Sequence, residues 1–292
     1  PFRITAIGLL VNIVLDPLLI YGYGPFPRLG TAGAAIATVL AQLIVYSFFA
    51  YRIFSNRFPL GKMHLFTALK KKPASRIIFL GLPVSLQNAL FSMFSLTLAA
   101  LAARWGAIGV AAQSVGSQIE ALSWMTATGF STALAAFVGQ NYGAGKYERI
   151  RKGYRLTLYI AGSIGLSAGI LFFLFSREIF SIFIPEAEAV EAGGTYLKIL
   201  AISQLFMVTE LVTQGAFNGC GRTIPPSLTG ILFTGARIPL AWYLCSFPSL
   251  GLNGIWWSIT LSSIFKGTLL PFWFLYFQKK ILNAKKIKEK IL

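Results

Sequence analysis

Apolar residues run in long unbroken stretches along this chain, separated by short polar and basic segments. Eight such runs lie at roughly 2–21, 31–54, 76–103, 108–138, 154–176, 194–217, 226–247 and 253–277. Each is long enough for a helix to cross a bilayer, which takes about 20 residues. The runs are continuous and lack the ten-residue alternation of an outer-membrane barrel, so helices are expected throughout. The fold class predicted is therefore all-α, a polytopic membrane helix bundle.

Two stretches repeat. Residues 30–54 and 251–277 each open with Leu-Gly-x-x-Gly, at Gly30 and Gly33 and at Gly251 and Gly254. Each is preceded by a proline-containing segment, Asp16-Pro17-Leu18 in one and Ile238-Pro239-Leu240 in the other. A two-helix unit thus recurs after about 220 residues. Repeated halves are a mark of secondary transporters, in which two related bundles rock about a shared site. Four spans precede the second copy within 76–217, and none precedes the first. The chain opens Pro1-Phe2-Arg3, with no Met and no signal-peptide pattern. Equivalent halves would then require four further helices upstream, in a parent of two six-helix lobes, the first truncated here. The division expected is 1–54 as the last two helices of an N-terminal lobe, 55–75 as an inter-lobe linker, 76–281 as a six-helix C-terminal lobe, and 282–292 as a basic tail.

Composition agrees. Mean hydropathy is +0.68 and only 12% of residues are charged, half the share of an ordinary soluble domain. The net charge of +17 is unevenly placed. Alternate loops hold Arg52, Lys62, Lys70, Lys71 and Lys72, then Lys146, Arg149, Arg151, Lys152 and Arg155, then Arg222, with the tail adding Lys279 to Lys290. The opposite loops carry few bases and include Glu178, Glu186, Glu188 and Glu191. The positive-inside rule makes the first set cytoplasmic, and with it the C-terminus. Contact with anionic membrane lipids accounts for the charge. Nucleic acid is excluded as a partner, because no separate domain could hold a duplex. Cys220 and Cys245 fall on opposite sides and would not pair. His64 reads as a solvated loop residue. Gly139 to Lys146 superficially suggests a phosphate loop but lacks the Lys-Ser/Thr ending. The spans offer no convergent catalytic groups, so the chain is not expected to be an enzyme, and it calls for no cofactor.

Ionisable residues inside spans carry the chemistry, since a charge at mid-bilayer costs a few kcal/mol or more and normally faces the bundle interior. Glu120 lies midway along its span and shares a face with Gln113, Ser117, Ser123 and Trp124. Glu210 has Thr213 and Gln214 one turn on. Lys266 sits near the middle of the last span. Either glutamate could be a fixed structural carboxylate or a switch. Arg237 reads as a fixed counter-charge or a side chain snorkelling toward the interface. Asp16, beside Pro17, reads as a helix-end or hydrogen-bonding residue.

The motifs together resemble the multidrug and toxic compound extrusion (MATE) family. Asn12-Ile13-Val14-Leu15-Asp16-Pro17-Leu18 with Gly30-Thr31-Ala32-Gly33-Ala34-Ala35 is similar to that family's mid-protein signature. Gly81-Leu82-Pro83, the run from Phe137 to Lys146, and Gly215 to Thr223 are similar to its later motifs, in order and across nearly the whole chain. The resemblance implies a twelve-helix, two-lobed, MATE-like antiporter of which this chain holds helices five to twelve. It would export small amphipathic or cationic molecules from the bacterial inner membrane in exchange for protons or sodium ions. It implies a second-lobe coupling site at Glu120 and Glu210, where a sodium ion could bind, in a cavity with Gln87, Asn88, Gln113, Ser117, Thr213, Gln214 and Lys266. Two departures stand out. The seventh-helix segment Pro83–Ala102 holds no acid, only Gln87 and Asn88, and Met207 stands where some branches carry an aspartate. A lipid-linked oligosaccharide flippase is the alternative, and it would need a wide cationic cavity, for which Arg237 and Lys266 are the available bases.

This topology makes a direct prediction. In a full-length protein lacking Cys220 and Cys245, single cysteines at Lys62, Lys152 and Lys285 should resist membrane-impermeant thiol reagents in intact cells. Labelling from outside at these positions would reverse the orientation.

Overall fold

The computed structural model describes residues 2–54 and 71–291, without the side chains of Lys72 and 281–291. Within them the chain is helical apart from short turns. Its helices are α1 (Phe2–Tyr21), α2 (Thr31–Phe54), α3 (Lys71–Ala102), α4 (Gly106–Gly143), α5 (Tyr147–Leu174), α6 (Ser176–Ser181), α7 (Ala187–Ala201), α8 (Gln204–Gly219), α9 (Ile224–Gly235), α10 (Arg237–Cys245) and α11 (Asn253–Ile291). The chain divides into two compact units, Pro1–Lys70 and Lys71–Leu292. The greater part of the expected linker, with Lys62 and His64, lies outside the described residues. Its last residues, from Lys71, already belong to α3, and α11 continues through the expected tail.

Six helical stretches are long and apolar enough to cross a membrane. The longest, Pro73–Gly143, has 71 residues, about 107 Å of helix and far more than one hydrocarbon thickness. It holds two crossings, α3 and α4, divided by a 3₁₀ turn at Ala103–Trp105 and by Gly106 at φ 71°. Gly109 then lies against the carbonyl of Ala102, so α4 starts by folding back on the end of α3. With the broken pair α7–α8, the crossings match the eight apolar runs.

Two runs expected to be single helices are broken. The run 194–217 becomes α7 and α8, bent by 54°. Ser203 Oγ turns back onto the Leu200 carbonyl at 3.0 Å, and Thr260 Oγ1 donates to the Ile199 carbonyl at 3.0 Å. The Leu200 carbonyl also accepts from the Ser203 N–H at 3.0 Å, so side-chain hydroxyls supplement the backbone donors at the break, as apolar surroundings favour. The run 226–247 becomes α9 and α10. Pro239 has no N–H to continue the ladder, and the break falls at Ala236, one turn earlier. Elsewhere Pro17, Pro83 and Pro271 sit inside α1, α3 and α11.

The sequence repeat is a geometric one. Gly30 and Gly251 both have positive φ, 55° and 46°. Gly33 presses on the backbone of Leu19 at the end of α1, and Gly254 on the backbone of Leu244 and Cys245 at the end of α10. In both copies the first glycine turns the chain, and the second lets the new helix meet the old one backbone to backbone.

In the larger unit α8 is the central helix. Gly215 and Gly219 lie against the carbonyls of Ser131 and Ala135 on α4, and Ser131 Oγ donates to the Leu211 carbonyl at 2.7 Å. Gly267 of α11 lies against the Phe206 carbonyl, and Gly165 of α5 against Val208. Two apolar clusters form in this unit, and the second is built on α8. One contains Ala112, Ile119, Phe180, Tyr196, Leu200 and Trp256. The other contains Ala127, Val138, Tyr154, Val212, Phe217, Leu270 and Phe274. Edge-on aromatic pairs close both, Tyr196–Trp256 at 5.4 Å and Phe217–Phe274 at 5.0 Å between centroids. Along α4 and α11 the polar residues fall between these clusters: Glu120 and Ser123 on one, Ser262, Ser263 and Lys266 on the other.

Close backbone approach makes the α4–α8 seam intolerant of added volume. Gly215→Ala should lower stability by about 1–3 kcal/mol through overpacking against Ser131. Gly143→Ala, where a Cβ meets nothing within 4 Å, should be nearly neutral. Thermal melts of the two purified variants compare them, and equal melting would remove the seam as a constraint.

Candidate functional site

Four charged side chains gather in the polar layer. Lys266 Nζ lies 3.0 Å from Glu210 Oε1 and 3.5 Å from Thr234 Oγ1. Both members of the pair are buried, at 6% and 8% exposure. Removing two charges from water is costly, and their attraction offsets that only while both are present. Glu210 is therefore a held carboxylate, fixed by α11.

Arg237 is the second base, and of its two expected readings its position discards the snorkelling one. It does not snorkel. It opens α10 at the α9–α10 break and is buried, with Nε donating to Ser262 Oγ at 3.0 Å and Nη2 to Ser263 Oγ at 3.1 Å. Ser262 Oγ passes its own hydrogen on to the Phe233 carbonyl at 2.8 Å. The guanidinium is near enough to Glu210 and Glu120 to interact with both charges. It belongs to the site, although its direct partners are neutral hydroxyls.

Glu120 differs from Glu210. It is only partly buried, and among the described residues it forms no ion pair. Tyr196 O–H donates to Oε2 at 3.2 Å, and Gln204 Nε2 to Oε1 at 3.3 Å. Both donors come from the broken span, one from each side of its bend. Next to them are unmet acceptors. Ser123 lies one turn on from Glu120, and its buried Oγ has no hydrogen-bond partner among the described residues; nor does Gln204 Oε1. A carboxylate, an amide oxygen and a hydroxyl suit a proton or a hard monovalent cation, whose ligands are oxygens. No group of three or more His, Cys, Asp or Glu occurs among the described residues, so a multi-carboxylate metal cage is not built here.

The other expected site residues scatter. Gln113 accepts from Trp256 Nε1 at 3.1 Å rather than facing Glu120. Ser117 is exposed, and its hydroxyl bonds back to the Ser114 carbonyl at 2.8 Å. Thr213 is fully buried on another face of α8, 2.8 Å from Tyr154 O–H in the second apolar cluster. Gln214 Nε2 reaches Gln87 Oε1 on α3 at 3.4 Å, so these two form a polar link across the bundle. Asn88 is exposed, and only its carbonyl is engaged, by Ser92 Oγ at 3.2 Å. Asp16 accepts a hydrogen bond from Asn12 at 3.4 Å, within the other unit. Met207 packs on the second apolar cluster. Sequence reasoning missed Tyr196, Gln204, Thr234, Ser262 and Ser263. Gln204, an amide inside an apolar run, was a usable signal, as was the row of hydroxyls leading to Lys266. Tyr196 carried none.

Comparison with known proteins finds one fold whose members carry different functional names, an FAD transporter of Shewanella oneidensis among them. The MatE family model matches residues 83–243, more than half of the chain. The probable multidrug resistance protein NorM of Thermotoga maritima is 31% identical over 99% of this chain and 63% of its own length. The probable multidrug resistance protein YoeA of Bacillus subtilis is 25% identical over 88% of the chain and 56% of its own length. Among solved structures, a MATE crystal structure in the straight conformation superposes with a TM-score of 0.85 at 25% identity, covering 97% of this chain and 63% of that one. A MOP superfamily transporter from Pyrococcus furiosus shares the fold, with a TM-score of 0.86 at 24% identity over 96% of this chain and 62% of that one. The chain spans under two thirds of the length of the relatives it matches. With more than half of its residues matched by the family model, and with the glycine-seamed membrane helices described above, this chain belongs to the MatE family of multi-pass membrane transporters.

Proposed function

We propose that this chain is the cation-coupled part of a secondary antiporter that exports organic cations and amphipathic drugs in exchange for protons or sodium ions. The observation that carries the proposal is the contrast between the two glutamates. Glu210 is sealed and neutralised by Lys266 at 3.0 Å. Glu120 is partly exposed and held only by the neutral donors Tyr196 and Gln204. Arg237 acts on Glu120 only from a distance and makes no direct ion pair with it, so this carboxylate can be neutralised by whichever cation arrives, whether a proton, a sodium ion or a cationic substrate. Mutually exclusive occupancy of one carboxylate is sufficient for antiport, provided each occupant favours a different state of the protein. A sodium ion would find oxygens at Glu120, Gln204 and Ser123.

In this reading α1 and α2 are the last two helices of a first six-helix lobe and α3–α11 form the second, and the two rock between inward-open and outward-open states in the bacterial inner membrane. The basic loops and the C-terminus lie in the cytoplasm. The departure noted on the seventh helix fits a site whose switch is a single acid on the eighth. The flippase alternative gains little from the described bases, since Lys266 is paired with Glu210 and Arg237 is bonded to Ser262 and Ser263. A pyrophosphate cavity needs surplus positive charge.

Glu120→Gln in the full-length protein should leave folded, abundant transporter in which efflux driven by an ion gradient falls by about tenfold or more, equivalent to losing about 1.4 kcal/mol of coupling. Drug binding should also lose its dependence on pH or sodium, because an amide cannot be switched. Efflux per folded molecule is the measure. Wild-type rates with intact ion dependence would remove Glu120 from the mechanism.

A further inference from the structure

We infer that the groove between α5 and the bend of α7–α8 is a binding site for one acyl chain of a membrane phospholipid. The groove encloses about 430 Å³. Leu166, Ile170 and Phe173 of α5 form one wall. The other straddles the bend, with Ile202 before it and Leu205 and Phe206 after it. Two glycines make the floor. A Cβ at Gly169 would stand 2.8 Å from the Ala201 carbonyl, and one at Gly165 would stand 2.7 Å from Val208 Cγ2. At the floor Gly169 thus meets the α7 backbone and Gly165 the side chain of Val208, so a side chain at either glycine would fill the recess.

Three observations select the occupant. No lining residue carries a polar side chain, so nothing there could hold a headgroup, a peptide backbone or a charged drug. The groove also lies along two membrane crossings, running from the middle of α5 to its end at Leu174 and against the bend in the middle of the α7–α8 span. At that depth the surrounding medium is hydrocarbon. Finally, its walls open outward: Leu166, Ile170, Phe173 and Ile202 are all about half exposed, on the face of α5 that continues to Tyr159 and Leu156. A flexible chain filling the recess gains contacts that the flat face of a helix does not offer, because a partly filled crevice forfeits dispersion on every open side.

The position gives this site a consequence. Leu205 follows Gln204, whose amide donates to Glu120 at 3.3 Å, and the Gln204 backbone lies beside Gly165. A chain seated in the groove packs on the bend from which Tyr196 and Gln204 reach the candidate switch.

The test uses the full-length transporter in lipid nanodiscs containing a phosphatidylethanolamine with a diazirine along one acyl chain. After illumination, cross-linked peptides are mapped by mass spectrometry. Labelling at Leu166–Phe173 and Ile202–Phe206 should exceed that at Tyr159, an exposed site on the same helix, by about tenfold, the preference expected from burying one or two further methylene groups. Leu205→Trp, which fills the recess, should abolish that excess and leave Tyr159 labelling unchanged. Ile202→Trp provides a second occlusion from the α7 side if the first variant fails to fold, as judged by its melting profile. Even labelling along the outward face of α5 would overturn the inference, because it would show bulk lipid only. So would absence of lipid labelling in the groove, which would mean that protein covers it, or an excess that survives both tryptophans.

Discussion

Everything in this bundle is arranged around the difficulty of keeping four charges in an apolar interior. Glu120, Glu210, Arg237 and Lys266 sit where water is largely excluded, and each uncompensated charge there would cost several kcal/mol. The fold meets this with one direct ion pair, with serine hydroxyls around the guanidinium, and with apolar clusters flanking the charged layer. Those requirements explain the helix geometry. α11 must present Ser262, Ser263 and Lys266 together, α9–α10 must break so that Arg237 can turn in, and α8 must come close to α11, which Gly267 permits.

The breaks in the helices are part of the same arrangement. A straight span cannot offer Tyr196 and Gln204 to one carboxylate from both sides of a bend. At the bend the Leu200 carbonyl accepts from both the N–H and the hydroxyl of Ser203, and the Ile199 carbonyl from Thr260, so both keep donors in an apolar setting. It also lies beside the apolar surface groove lined by Leu166, Ile170 and Phe173. The span that carries Glu210 thus connects the interior charges, the candidate switch and the lipid-facing side of the bundle.

Much of this was legible in the residues. The eight runs, the Leu-Gly-x-x-Gly repeat and the interior ionisable residues all follow from hydropathy and spacing, and the repeated glycines do the same geometric work in both copies. What sequence could not give was pairing between distant segments. Nothing local says that Lys266 chooses Glu210, leaving Glu120 with neutral donors. From sequence alone Arg237 reads as either a fixed counter-charge or a snorkelling side chain, because its partners stand 25 and 26 residues away on α11. Thr213 and Ser117 looked useful because helical spacing places them near glutamates. Side-chain rotamers and neighbouring helices then turned Thr213 to Tyr154 and left Ser117 outside. Polar character within a span marks an interior residue, but its role depends on which helix comes alongside.

The central claim is that Glu210 and Lys266 form a structural pair, which frees Glu120 to act as the switch. A double-mutant cycle on the thermal stability of the full-length protein tests it most directly. Glu210→Gln and Lys266→Met should each lower the melting temperature by about 10 °C, as expected when one member of a buried ion pair is stranded. The double variant should recover most of the loss, because no charge is then left alone. Additive losses in the double variant, or single variants that melt like the wild type, would contradict the account.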